Sequence, residues 1–179
     1  MKRQILSIAL IGAALLASGA SRAQTAAPNP LDAIPDKMPF DVPYGAPISL
    51  ERAQAVLAAA VAEAKNHDWK MNLAVVDSGG NLVAFARMDG AQLASVAISE
   101  HKARTAASFR RETKVFESGI QGGLVYQVTL DGVIGSRGGI PLVEGGKLIG
   151  AIGASGGTGS QDEVCAKAGA AIVSKLAGG

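Results

Sequence analysis

Apolar residues recur along this chain with two different periods. From Leu50 they fall at helical intervals (Leu50, Ala53, Leu57, Ala60, Val61, Ala64) behind Ser49, whose hydroxyl suits an N-cap, so a helix is predicted to about Lys65. Two short apolar runs follow, Leu73–Val76 and Leu82–Ala86, on either side of Asp77-Ser78-Gly79-Gly80-Asn81. Gly and Asn supply the positive φ values that a tight reversal needs, and the pair reads as a β-hairpin. Helical spacing returns from Ala91 to Arg111, with Glu100 and Arg104 four apart as a stabilising pair. Residues 112–123 read as a short helix and a loop.

Between Gly119 and Gly159 fourteen glycines alternate with Val, Leu and Ile. Two strands are expected there, one over Val133–Val143 (interrupted at Gly138-Gly139) and one over Lys147–Ala154, joined by Glu144-Gly145-Gly146; a further strand is expected over Leu124–Leu130. Ser160-Gln161-Asp162-Glu163 has the form of a capping box and opens a last helix through Leu176, ended by Gly178. Turns this short make the strand pairs antiparallel. The order of elements then gives an α/β (α+β) domain, an antiparallel sheet covered by helices, over residues 49–179.

The ends of the chain change how its charge is read. Lys2 and Arg3, the apolar run Ile5–Leu16 and Ser21-Arg22-Ala23 have the form of a signal peptide over residues 1–23, too short in its apolar part to span a bilayer comfortably. Its removal leaves no membrane anchor and implies a periplasmic or secreted protein. Lys2, Arg3 and Arg22 leave with it, so the mature net charge is about −1 rather than +2. A nucleic-acid partner is excluded, because phosphate neutralisation needs a dense basic face. Residues 24–48 hold six of the seven prolines and form an extended arm. Cys165 is the single cysteine, so no intramolecular disulfide forms, and its Ala-rich surroundings predict a buried thiol.

Several segments together resemble one family. Val75–Ala91 (V-V-D-S-G-G-N-L-V-A-F-A-R-M-D-G-A), Lys102–Ala107 (K-A-R-T-A-A), Gly138–Leu142 (G-G-I-P-L), Gly150–Gly157 (G-A-I-G-A-S-G-G) and Asp162-Glu163 are similar to the GlcG/HbpS-type haem-binding family, also found as the C-terminal domain of PduO-type proteins. The resemblance runs from about Ser49 to Leu176. It implies a three-layer domain around an antiparallel five-stranded sheet, homo-oligomers from dimers to octamers, and non-covalent haem binding with a role in haem handling or sensing.

Haem held without covalent attachment needs an axial ligand, an apolar slot and cations for its propionates. C-x-x-C-H is absent, so c-type attachment is excluded. Imidazole can come only from His67, past the first helix where capping is the ordinary role, or from His101, which shares a helical face with Ala94, Ala97, Ile98 and Thr105. His101 is the candidate iron ligand, a hydrogen bond to a carbonyl being the plainer alternative. Met88 and Tyr126 are weaker ligand candidates. Lys102, Arg104 and Arg87 are candidates for the propionates, against the alternative of salt bridges with Glu100 and Asp89. The expected groove lies between the second helix, the Arg87–Asp89 rim and the Gly138–Pro141 turn, with Gly139 and Pro141 on its wall.

Other chemistries fit less well. Gly153-Ala154-Ser155-Gly156-Gly157 matches the nucleophile-elbow pattern, but both His residues precede Ser155 and the sheet is antiparallel. Asp162 and Glu163 oppose a phosphate at the Gly156–Ser160 loop, where a small neutral ligand or a neighbouring subunit suits the bare backbone better. The alternative to a haem protein is an enzyme or accessory protein acting on a small organic molecule in a catabolic pathway, using Arg87, Asp89 or Ser155. A purely structural oligomer is the third reading.

Overall fold

The computed structural model of the protein describes residues 32–38 and 40–176. The expected leader, the arm through residue 31, Pro39 and Gly178 lie outside them. Contacts divide the chain into a unit ending at Lys37, whose residues 32–37 are exposed and irregular, and a unit from Met38 onward, which the following describes.

Helix α1 covers Leu50–Asn66, with the Ser49 hydroxyl accepting from the Arg52 amide at 3.3 Å. The hairpin is β1 (Asn72–Asp77) and β2 (Leu82–Arg87), and its turn is organised by the Asp77 carboxylate, which accepts from the amides of Gly79 and Asn81. Helix α2 covers Ser95–Phe109, α3 Lys114–Gln121, β3 Gly139–Glu144, β4 Lys147–Ser155 and α4 Gly159–Leu176. The sheet order is β2-β1-β4-β3, antiparallel throughout.

Three layers result, because β1 is apolar on both faces. Leu73 and Val75 point into one core with Val56, Leu57 and Ala60 of α1 and Cys165, Ala166 and Val173 of α4. Ala74 and Val76 point to the opposite side, against Ala103, Ala106 and Ala107 of α2. Full burial of Leu73 and Val75 contributes about 1.5–3 kcal/mol each. The α2 layer is the closer one. A Cβ at Gly153 would strike the Ser99 carbonyl, and one at Gly139 the Lys102 carbonyl, so the chain's own helix covers the backbone at these two glycines.

Four expectations need correction. The sheet has four strands, not five. Leu124–Leu130 is no strand: Val125–Thr129 forms a 3-10 turn closed by the local bonds Gln127 N–H to Leu124 O and Thr129 Oγ1 to Tyr126 O. The segment beside the start of β4 is instead the arm, which makes one parallel bridge between Tyr44 and Leu148; Pro43 and Pro47 lack the N–H groups a longer ladder would use. Thirdly, β3 starts at Gly139 rather than Val133, because the preceding residues bond to α2 through Thr105, whose Oγ1 donates to Gly132 O and accepts from Ile134 N–H. Fourthly, the capping box sits two residues earlier than expected. Thr158 and Gln161 bond reciprocally, the Thr158 amide to Gln161 Oε1 at 2.8 Å and the Gln161 amide to Thr158 Oγ1 at 3.4 Å. That leaves Asp162 and Glu163 free for the interior.

No helix among the described residues is long and apolar enough to cross a membrane.

Candidate functional site

Helix α1 ends in a tight reversal. His67 is its C-cap, Asp68 follows in the left-handed conformation (φ 54°), and the Trp69 amide donates back to Ala64 O at 2.9 Å. The reversal throws Trp69, the only tryptophan in the sequence, onto the flank of the main core. One face of its indole is covered by His67, stacked at 4.2 Å between ring centroids, and His67 in turn meets Glu63 at 3.2 Å. His67 thus caps and stacks, in line with the capping role expected of it.

Beside Trp69 the strands supply a second wall. Ala86, Arg87, Met88 and Asp89 come from the end of β2, and the Met88 amide is held by Met71 O at 3.0 Å. Together with Val61, Lys65, Asp68 and Lys70 they enclose an open hollow of about 440 Å³, within the size of small-molecule sites. Its floor is apolar, made of Val61, Trp69, Ala86 and Met88. Its rim carries Lys65, Lys70 and Arg87, none with a carboxylate within ion-pair distance among the described residues, although Asp68 and Asp89 are nearby in the rim. An apolar floor under unpaired cations suits a flat apolar ligand that ends in anions.

The expected site residues are not gathered in one place. Arg87 and Met88 line the hollow. His101 is half-buried on the flank of α2 and lines neither that hollow nor the smaller one at Ser49, Glu51, Arg52 and Ala55. Arg104 is taken up by Glu100 at 2.7 Å, the helical pair read from their spacing. Tyr126 lies half-exposed on the 3-10 turn. Gly139 and Pro141 belong to β3, with Gly139 sealed beneath α2.

Lys102 differs most from expectation. Instead of reaching a propionate, it is buried with Nζ donating to Asp162 Oδ2 at 2.7 Å. Asp162 Oδ1 accepts the Gly157 amide at 3.0 Å. Burial pushes the Asp162 carboxyl above its usual range, with the Lys102 charge working against that shift. Ser155 is also buried, donating to Ser95 Oγ at 3.0 Å, so it is not presented as a nucleophile. Among the described residues no three His, Cys, Asp or Glu side chains cluster as a metal site.

Comparison with known proteins identifies the family. The one described as "Haem degrading protein HbpS-like" matches residues 48–171. The chain belongs to the HbpS-like family. Over 108 residues it is 44% identical to Protein GlcG of Escherichia coli (strain K12), covering 60% of this chain and 81% of GlcG. The crystal structure of Klebsiella pneumoniae protein ORFY superposes with a TM-score of 0.69 at 31% identity, covering 79% of this chain and 97% of that one. The crystal structure of a PduOC:heme complex superposes with a TM-score of 0.64 at 28% identity, covering 70% and 94%. The GlcG/HbpS resemblance read from the motifs therefore holds.

Trp69, Val61, Lys65 and Lys70 are not among the site candidates that the sequence suggests. The available signal was a lone Trp between Asp68 and Lys70, directly before the first strand. A motif search centred on glycines and histidines passes over it.

Proposed function

We propose that this HbpS-like protein binds haem, without covalent attachment, in the hollow beside Trp69. The carrying observation is the pairing of an apolar floor with three cations, Lys65, Lys70 and Arg87, that have no ion-pair partner among the described residues. That chemistry fits the group: the indole and aliphatic floor would take the macrocycle, the rim cations the propionates, and the Met88 thioether is a soft iron ligand within the same wall. Haem in a relative of the same fold supports the reading. His101 has no place in this arrangement. The bound group would supply redox chemistry, and the chain's own residues bind and orient it.

The leader-like residues 1–23 support export to the periplasm or beyond, and a homo-oligomer is supported by the exposed apolar side chains of Val115, Val125, Tyr126, Val128 and Leu130. Titration of the mature protein with haemin tests the proposal. A saturable Soret shift at micromolar protein is expected, and its absence would remove the reading.

A further inference from the structure

The geometry points to a second ligand site at the far end of α2, where Arg110 and Arg111 form a receptor for a carboxylate or phosphate oxyanion. The helix ends there in a Schellman turn. Arg110 occupies the left-handed position (φ 55°, ψ 36°) and Arg111 N–H returns to Ala106 O at 3.3 Å. Glycine suits that position best, having no Cβ. An arginine there places a guanidinium where local backbone preference alone would not.

The arm and the aromatic rings hold both guanidinium groups in place. Tyr44 Oη donates to Ser108 O at 2.8 Å, laying the arm across the helix end, and Arg110 Nη1 donates to Val42 O at 3.1 Å with its guanidinium 5.4 Å from the Tyr44 ring centre. The Arg111 guanidinium lies 3.3 Å from the Phe40 ring centre, 4.8 Å from that of Phe116 and 5.7 Å from that of Phe109. Its Nε donates to Phe109 O at 3.3 Å. Stacking fixes the plane of the fork in advance, which is what bidentate recognition of a planar anion requires.

The fork has no anion of its own. Arg52, Arg104 and Arg137 each meet a glutamate, whereas neither Arg110 nor Arg111 has a carboxylate within ion-pair distance among the described residues. Glu112, next in the chain, is drawn off to Lys167 at 3.4 Å. Among the described residues Nη1 and Nη2 of Arg111 make no hydrogen bond, and they are not among the fully sealed polar atoms. Offsetting the helix dipole is the plainer role. A helix C-terminus carries only about half a negative charge, however, and two adjacent guanidinium groups leave roughly one and a half positive charges over. The fifteen residues of α2 run about 22 Å to this end, and neither Arg110 nor Arg111 lines the hollow beside Trp69.

Titration with inorganic phosphate and, separately, with acetate, each balanced by sodium chloride to constant ionic strength, reads the site through the Nε–H NMR signals of Arg110 and Arg111. Saturation by either anion is expected, and the tighter of the two names the source. In Arg111→Lys, which keeps the charge but loses the fork, affinity should fall about ten-fold or more. Arg110→Gln provides a second variant if Arg111→Lys is poorly folded, with the same loss expected. Trp69→Ala should leave the phosphate response unchanged, so a failure of the haem reading does not touch this one. Shifts that chloride alone reproduces, or parental affinity retained in both arginine variants, would overturn it.

Discussion

Lys102 and Asp162 meet at 2.7 Å with side chains only 2% and 4% exposed, tying α2 to the first turn of α4. Removing one partner strands the other charge in the core. Lys102→Met should therefore cost about 3–5 kcal/mol, and the double variant Lys102→Met/Asp162→Leu should recover much of that loss. Urea denaturation of the two variants reads the difference. A double variant no more stable than the single one would show that the stranded carboxylate is not the cause.

Glu163 lies within a wider charge cluster, accepting from Lys114 at 3.2 Å and from Lys167, with Arg137 at 3.5 Å. Burial pushes its carboxyl up, but the hydrogen bonds from Lys167 and Lys114 outweigh it, and the group is held below its ordinary 4.5. A depressed folded value means that the stabilisation is fully present above pH 4.5 and is lost as pH falls through the folded pKa. Glu163→Gln should thus cost about 1–2 kcal/mol at neutral pH. The gap to the parent should close as acid protonates the parent's own carboxyl, as melts at stepped pH will show.

Cys165 is fully buried, and its thiol is pushed up to about 12 by burial and by the Asp162 and Glu63 carboxylates. The thiolate is the reactive form. A disulfide reagent at neutral pH should label the folded protein only as fast as it opens, and the urea-unfolded chain at once. Rapid labelling of the native protein would contradict this burial.

Gly153→Ala should destabilise severely, by about 3 kcal/mol or more, because the added methyl meets the Ser99 carbonyl and the Ala103 backbone with no flexible side chain to yield. Gly145→Ala, on the exposed turn, meets nothing within 4 Å and bears only the strain of its positive φ of 53°. Thermal melts should separate the two clearly.

The layers of the fold were legible because period and turn chemistry agree in them. The Leu73–Val76 and Leu82–Ala86 runs and the Asp77–Asn81 turn gave the hairpin, and the spacing of Glu100 and Arg104 gave their ion pair. The Leu124–Leu130 run misled because β-branched residues suit a strand, yet its local bonds, Gln127 N–H to Leu124 O and Thr129 Oγ1 to Tyr126 O, closed a 3-10 turn instead. The site was legible only in part. Arg87 and Met88 stand at a strand end, where a rim is expected; Lys102 gives no sequence sign that its partner, sixty positions away, will meet it in the core. Trp69 depends on the reversal at Asp68, a single left-handed residue that no periodicity announces.

Haemin titration of the parent protein beside Arg87→Ala and His101→Ala is the most direct test of where the ligand sits. Loss of a charge-assisted contact from the rim should weaken binding about ten-fold or more in Arg87→Ala, while His101→Ala binds as the parent does. Unchanged affinity in Arg87→Ala together with a lost Soret shift in His101→Ala would contradict the account and return the ligand to the flank of α2.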